Sequence, residues 1–575
     1  MGTDRLPRMS GASDFIHDQV ERDLAVGLNG GRVQTRFPPE PNGYLHIGHA
    51  KAITQDFSIA EDFGGTCNVR FDDTNPDTEE TEFVDGILRD IEWLGFRPAA
   101  VLFASDYFEQ LYEWAHHLIS EGLAYVDEQD GETISAQRGG FGKPGVESPF
   151  RDRPVAESRD LFTRMRAGEF ADGAMCLRAR IDMQSDNMWL RDPVLYRIRR
   201  GHHHRTHDSW FIYPTYDWAH GQSDAIEGVT HSICTMEFDS HRPLYNWCLD
   251  HLPLPGDQPK QYEFARLEFT HIVTSKRRLK KLVNDGVVDG WDDPLMPTLA
   301  GLRRRGYPAS AIVSFCREIG TARTNSRHAI EALEAVVRRQ LNATSQRRMV
   351  VTRPLRLTLT NWPTDDQGEP VVERFDLTNN PENSEDGTRS VAFSGQLVIE
   401  TDDFAEVPPP KFFRLSPGKE VRLRGAYLVT ATDVVKDSEG NVVEVLATYD
   451  PATRGGDAPD GRKVKSTMHW VSVPHAVPVR AALYERLFTT EVPGAATGEP
   501  LDDLNTNART WLDEALGEAS IADVEPGQVV QFERLGYFAK DLDAVTGADD
   551  AQPVVFHRTV GLRDEWASIQ KRQDR

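Results

Sequence analysis

The run Arg36-Phe37-Pro38-Pro39-Glu40-Pro41-Asn42-Gly43-Tyr44-Leu45-His46-Ile47-Gly48-His49 constrains this chain more than any other stretch. Val33 to Phe37 reads as a short strand. Three prolines and Asn42-Gly43 then end it and force a turn. From Leu45 to Ile59 the apolar residues Leu45, Ala52, Ile53 and Ile59 fall at helical spacing. Strand, tight loop and helix in that order set a helix N-terminus against a bound anion. His46 and His49 stand three apart, so they share one face of the first turn. Gly43 and Gly48 keep side chains away from an approaching phosphate. A lone His-x-x-His pair is more often two solvated side chains than a site; the whole run from Pro39 to His49 is far more specific.

The surrounding pattern places this turn in a parallel sheet. Cys67 to Phe71 is a strand, followed by Asp72-Asp73-Thr74-Asn75-Pro76, and Thr81 to Leu94 is a helix. Such alternation, running to about Leu118, suits a parallel sheet with ligands at strand C-terminal ends. Asp72 sits at such an end, where a helix cap is the plainer role for an Asp. From Glu121 to Trp210 the alternation lapses into short helices and an alternating strand, Cys176 to Ile181, which reads as an insert. The sheet is expected to resume near Phe211 to Asp217, with residues 224–252 and 261–275 completing it. Pro297 to Leu341 is helical. After Arg348, apolar alternation at Leu355, Leu357 and Leu359, at Val421 and Leu423, and at Val443 and Val445 gives short antiparallel strands of the barrel type.

The formal charge of −25 requires any nucleic-acid contact to come from clustered basic residues, and suppresses non-specific binding. Clusters occur at Arg197 to Arg205, Lys276 to Lys281, Arg303-Arg304-Arg305 and Arg347-Arg348. The five cysteines include no Cys-x-x-Cys pair, which points to reduced thiols in a cytoplasmic setting and to no cysteine zinc site. His202-His203-His204 with His207 invites a metal reading. A set of carboxylates and thiols at ligand spacing is missing, so a polar loop is expected and no metal. No apolar run reaches membrane-spanning length.

The segment Pro39 to His49 resembles the His-Ile-Gly-His signature of class I aminoacyl-tRNA synthetases, in the form carried by the glutaminyl and glutamyl enzymes. Val273-Thr274-Ser275-Lys276-Arg277 resembles a degraded Lys-Met-Ser-Lys-Ser signature, with Val273 in place of the leading Lys. Arg70 to Pro76, Trp291-Asp292-Asp293-Pro294 and Gly301 to Gly306 are similar to the same branch, and the likeness runs from about Phe15 to Trp566. It implies an α/β multidomain plan: an N-terminal lead and helix (1–27), a Rossmann-type parallel-sheet catalytic domain in two halves (28–118 and 210–275), an inserted acceptor-end-binding domain (119–209), a helical connector (276–348), and two anticodon-binding antiparallel β-barrels with a tail (349–575). β-Barrels separate this chain from bacterial glutamyl enzymes, which end in a helical module.

The resemblance implies ATP-dependent activation of an amino acid and its transfer to the 3′-terminal ribose of tRNA, with Mg²⁺ on the nucleotide, by a monomer. The attacking carboxylate is already an anion, so fixed donors around the phosphates, rather than a base, lower the barrier. His46, His49, Ser275 and Lys276 are implied as catalytic groups. Glu40, Pro41, Asn42, Gly48, Thr235, Arg266, Leu267 and Thr274 join them around ATP. Asp72 is implied to hold the substrate ammonium, with Arg36, Tyr216, Cys234 and Gln261 lining the pocket; Tyr216 reads equally well as a structural aromatic. Glutamyl relatives commonly carry Arg where Cys234 stands, and a buried carboxylate needs a cation, so Cys234 favours glutamine and tRNA(Gln). Arg347, Arg414, Arg422, Arg424, Gln531 and Arg534 look like anticodon-reading positions, with a charged outer barrel face as the alternative. Asp239 stands one place before the expected acceptor-stem Asp, with Ser240 following. The rival readings are a glutamyl enzyme of the β-barrel type and a tRNA-binding relative without activity.

Overall fold

The computed structural model describes residues 14–77, 80–140, 142–543 and 552–563. Residues 1–13 of the expected N-terminal lead and 564–575 of the expected tail, Trp566 included, lie outside these. The chain divides into two compact units, residues 1–268 with 313–328, and residues 269–312 with 329–575.

In the first unit, α1 (Phe15–Ala25) leads into β1 (Gln34–Phe37). α2 (Ile47–Asp62) returns the chain to β2 (Thr66–Phe71), and α3 (Thr81–Trp93) to β3 (Val101–Phe103). β1 pairs parallel with β2 and β2 with β3. β1 and β2 are largely buried on both faces, as crossover helices require; Val69 and Phe71 are fully covered, while β3 at the edge leaves Val101 exposed. After α4 (Phe108–Ser120) the chain enters the insert. There β4 (Ala124–Asp127), β5 (Cys176–Ala179), β6 (Val194–Ile198) and β7 (Ile212–Pro214) form one antiparallel sheet, with α5 (Gly131–Arg138) and α6 (Val155–Arg166) alongside in sequence. The strand at Ile212–Pro214 is therefore not the return of the parallel sheet that its apolar run suggested. It is an outer strand of the insert, and a short apolar run cannot itself say which sheet it joins.

The parallel sheet resumes with β8 (His231–Thr235), reached through α7 (Tyr216–Glu227), and β9 (Lys260–Phe264), reached through α8 (Arg242–Asp250); β8 and β9 pair parallel. β8 lies beside β1: the Thr230 N–H donates to the Gln34 carbonyl at 2.9 Å and the Gln34 N–H to Thr230 Oγ1 at 2.8 Å. The chain thus leaves β1 to one side, towards β2, and comes back on the other. The crevice at the carboxyl ends of β1 and β8 is the switch point where such sheets take ligands.

The helical run expected after Pro297 appears as Leu299–Arg304, Ala309–Glu318 and Ile330–Thr344, with a short strand at Ser326–His328. In the second unit two seven-stranded sheets follow. One runs Thr467–Met468, Glu420–Leu423, Leu428–Lys436, Val442–Asp450, Pro354–Leu359, Gln396–Glu400, Val471–Ser472. Its first and last strands are the two halves of a single segment bent at His469-Trp470, so the sheet curls until its edges meet. The other closes in the same way: Arg347–Arg348 pairs with Val529–Phe532, and Val350–Val351 with Arg509–Gly517. Each barrel leaves no long free edge. Trp470 and Met349, at the bends, are fully buried. No described helix is long and apolar enough to cross a membrane.

Candidate active site

His46 caps α2 and His49 stands in its first turn. The His46 Nδ1 accepts from the Gly48 N–H, and the His49 Nδ1 accepts from the His46 N–H, both at 3.1 Å. Backbone amides thus occupy one nitrogen of each ring and leave the Nε2 nitrogens as the N–H donors. The ring centroids lie 3.9 Å apart. Burial, with His49 alongside, pushes the His46 imidazole well below its ordinary pKa and keeps it neutral. A Cβ on Gly48 would come within 2.8 Å of the His46 ring and 3.5 Å of the Leu267 carbonyl. Gly48 is therefore the seat on which the His46 ring rests, and Leu267 closes over the same turn. Glu40 is exposed and accepts from Asn42, while Pro41 is buried beside them. Thr235, at the end of β8, donates to Glu237, and Arg266 pairs with Glu268 at 2.6 Å.

Asp72 lies directly after β2. Its side chain is buried, and neither carboxylate oxygen has a hydrogen-bond partner among the described residues. Burial pushes this carboxyl up to about 7; Arg70 opposes the rise, and Glu40 and Asp73 add to it. A carboxylate left bare in such a place is at rest only when a cation reaches it.

Below it lies a cluster that the sequence did not announce. Asp224, fully buried on α7, receives Arg36 Nε at 3.0 Å, Arg70 Nη1 at 2.5 Å and the Tyr245 hydroxyl at 3.1 Å. Arg36 also donates to the Ile233 carbonyl at 2.9 Å and to Ser232 Oγ at 2.6 Å, and touches His220 Nε2 at 3.1 Å. Burial would raise the Asp224 carboxyl, but Arg36 and Arg70 outweigh it and hold the group well below the usual range. His220 stacks on Tyr216 at 4.8 Å and is kept neutral by burial. Tyr216 is in electrostatic reach of Cys234, Arg36 and Asp72, so these four sequence-chosen residues come together. Burial raises the Cys234 thiol well above its usual value, and it stays neutral. Gln261 is buried and donates to Glu263 at 2.9 Å.

In the second unit, Ser275 caps the helix Lys276–Asn284, and Lys276 is its first residue. Thr274, before them, is partly buried. Val273 packs in a core with Leu279, Leu282, Leu487 and Phe488, which explains why an apolar residue stands where the signature has Lys.

The expected base-reading residues sit on the barrels with unequal freedom. Arg347 is buried and spent on Asn380 Oδ1 at 2.8 Å and the Asn342 carbonyl at 3.0 Å. Arg534 grips Asp403 with both nitrogens, at 2.6 and 2.7 Å, and Arg414 approaches the same carboxylate at 3.4 Å. Arg424 pairs with Glu533 at 3.0 Å, Arg422 reaches Gly456 and Asp457, and Gln531 donates to Tyr537 at 3.0 Å. Arg422 and Arg424 share strand parity but not partners. In the first unit, Asp239 accepts from Arg242 at 3.0 Å. Ser240, where the acceptor-stem Asp was expected, ties to the insert through Trp189 Nε1 at 3.0 Å and Asn187 at 2.8 Å.

The histidine run corrects the expectation of a polar loop without a carboxylate. His203 is fully buried, and His203, His204 and Asp73 bring potential ligand atoms within 4.8 Å of one another. The carboxylate comes from far upstream, where sequence spacing could not reveal it.

The sequence profile of the catalytic domain of tRNA synthetases class I (E and Q) matches residues 32–343, and the two anti-codon binding domain profiles of the same group match residues 345–450 and 467–541. The chain is 55% identical to the glutamine–tRNA ligase of Nitrobacter winogradskyi, over 97% of this chain and 97% of that one. It is 56% identical to the protein of that name from Nitrobacter hamburgensis, with 97% of each covered. The one from Rhodopirellula baltica is 52% identical over 98% of this chain and 92% of its own.

Proposed function

Because the chain belongs to the class I tRNA synthetases of the E and Q group, we propose that it activates L-glutamine with ATP and esterifies tRNA(Gln) at its terminal ribose. The full-length likeness to ligases named for glutamine supports this reading. The single structural observation that carries the choice of glutamine is the saturation of Arg36. Its N–H groups are divided among Asp224, Ile233, Ser232 and His220. Arg70 is likewise committed, to Asp224. Neither guanidinium is left to neutralise the side-chain carboxylate of glutamate, while Tyr216 and the neutral Cys234 suit an amide.

In this reading Asp72 anchors the substrate ammonium, and the substrate carboxylate attacks the α-phosphorus as pyrophosphate leaves. His46 and His49 donate from Nε2 to phosphoryl oxygens, with Lys276 the ammonium of the second signature and Ser275 beside it. Mg²⁺ arrives with the nucleotide and shields its phosphates. Glu40, Asn42, Thr235, Arg266 and Leu267 frame the nucleotide. Arg414, Arg422, Arg424 and Arg534, with Gln531, contact the anticodon, trading their present carboxylate and carbonyl partners for bases and phosphates. Arg347, bonded to Asn342 and Asn380 at the start of the barrel, joins them in contacting the RNA. Charging proceeds in the cytoplasm, on a monomer.

Charging assays with tRNA(Gln) test the reading. Glutamine is expected to be esterified, with glutamate disfavoured by roughly 10⁴-fold or more in kcat/KM, the scale on which sites built for one polar group reject another. Equal charging of both would overturn the assignment to glutamine, and no charging of either would leave only RNA binding. Gly48→Ala adds a methyl where the His46 ring lies. It is expected to slow ATP–pyrophosphate exchange by roughly 10–100-fold, with glutamine affinity nearly unchanged.

A further inference from the structure

Neither Asp72 carboxylate oxygen has a hydrogen bond of full geometry among the described residues, the Thr74 hydroxyl being the polar side chain near it, so its direction is set chiefly through the main chain at 72 and 73. Five hydrogen bonds hold that segment, two on its main chain and three on the Asp73 carboxylate. The Asp72 N–H donates to the Pro39 carbonyl at 3.0 Å. The Asp73 carbonyl receives His203 Nε2 at 2.8 Å. The Asp73 carboxylate accepts from the Ser105 N–H at 2.8 Å and the Ser105 hydroxyl at 2.6 Å. It also accepts from His204 Nε2 at 3.1 Å. Two of the clamping groups thus come from the connection between β6 and β7 of the insert. That connection is itself rigid: His203 and His207 exchange backbone hydrogen bonds at 3.1 and 2.9 Å. Arg205 fastens it further, to Ser105 Oγ at 2.8 Å and Asp106 at 2.7 Å.

The trio Asp73, His203 and His204 has the spacing of a metal site, but its hydrogen bonding points elsewhere. The His203 Nδ1 accepts from the Arg205 N–H at 3.2 Å and the Thr206 N–H at 3.0 Å. The ring's proton is therefore on Nε2, where it is donated to the Asp73 carbonyl, and no lone pair there remains for a metal.

We propose that His203 and His204 are positioning residues of the amino-acid site, a clamp by which the insert fixes the Asp72 carboxylate for the substrate ammonium. The proposal rests on Asp72 having that role. His204 is the residue to test, because His203 also packs on Phe108 and Tyr213. In the full-length protein, His204→Ala is expected to raise the KM for glutamine about tenfold, the worth of one hydrogen bond to a charged group, and to leave the KM values for ATP and tRNA(Gln) unchanged. His204→Gln, which returns an N–H donor, is expected to restore it. Ser105→Ala, which keeps the backbone donor and loses the hydroxyl, gives a smaller rise of about threefold, and serves if His204→Ala does not fold.

An unchanged glutamine KM in both alanine variants overturns the clamp. So does an equal rise for all three substrates that His204→Gln fails to repair. Zinc retained at one equivalent by the dialysed wild type and lost from His204→Ala would also overturn it, in favour of a metal site. A wild type that charges no glutamine at all is a failure of the functional reading, not of the clamp.

Discussion

His46→Ala is expected to lower the rate of ATP–pyrophosphate exchange by roughly two to three orders of magnitude, with the KM for glutamine little changed. That is the loss expected when one fixed donor to developing charge is removed from a site that excludes water. The size of the loss follows from how the two rings are prepared. Backbone amides of α2 hold both Nδ1 atoms, so each ring keeps one tautomer and spends no reorganisation when charge gathers on the phosphate. Burial keeps His46 neutral across the ordinary working range, so its donor role does not wait for a proton. His46→Asn keeps an N–H group near the same place and is expected to recover part of the rate. Because the His49 Nδ1 leans on the His46 backbone N–H, which survives either substitution, His49 remains in place and the loss is that of one donor. A full-rate His46→Ala protein would leave the triphosphate reading without its main support.

Asp72→Asn produces the second large effect, and it has opposite signs for activity and stability. Without its counter-charge the substrate ammonium is desolvated unpaired, and the KM for glutamine is expected to rise by roughly 10²–10³-fold. The free protein, in contrast, gains. Burial places the Asp72 pKa near 7 when folded, against 3.8 for the ordinary side chain. Between those values the folded chain holds a proton that the unfolded chain has released, so stability falls as pH rises from about 4 to about 7. Above pH 7 the penalty is complete, about 4 kcal/mol for a shift of this size. The asparagine variant does not carry it. Its melting temperature at pH 8 is expected to exceed that of the unliganded wild type, and the difference is expected to vanish near pH 4. Glutamine binding to the wild type is expected to weaken as pH falls below about 7, because the carboxyl then keeps its proton. A variant no more stable than wild type at pH 8 would show that Asp72 is already neutralised within the protein.

The elements that carry the chemistry were legible because local chemistry dictates them. Prolines, an Asn-Gly turn and helical spacing gave β1, its loop and α2, with boundaries near those observed. The short barrel strands after Arg348 were legible in the same way, but not their direction: both sheets are mixed, with Pro354–Leu359 parallel to Val442–Asp450 and Val477–Tyr484 parallel to Val554–Gly561, because such pairings join strands far apart in the chain. What escaped was whatever depends on distant pairing. Ile212–Pro214 has the composition of a buried strand, and nothing local says that its partner is β6. Asp224 was passed over because an Asp among small residues on a helix looks like a solvated one. Its meaning appears only when Arg36 and Arg70 arrive from two strands far upstream. Arg70 itself stood in a quoted motif without a role. Arg347 shows the converse limit: a basic residue at a barrel entrance reads as an RNA contact, and in the free protein its guanidinium is bonded to Asn380 and Asn342. Sequence gives the charge of such a residue but not whether a neighbour has already claimed it.

The fastening of the second barrel has a consequence for how the chain is made. Arg347–Arg348 can find its mate only when Val529–Phe532 exists, and Val477–Tyr484 needs Val554–Gly561. A nascent polypeptide emerging from the ribosome therefore has to carry an unfastened hoop until Val554–Gly561 has been synthesised, and loop closure over such separations is slow. The first barrel is fastened by Thr467–Ser472 and completes earlier. Premature termination after about residue 500 would then yield a protein with one finished hoop and one sticky, open ribbon, a form that calls for chaperones and is prone to aggregate.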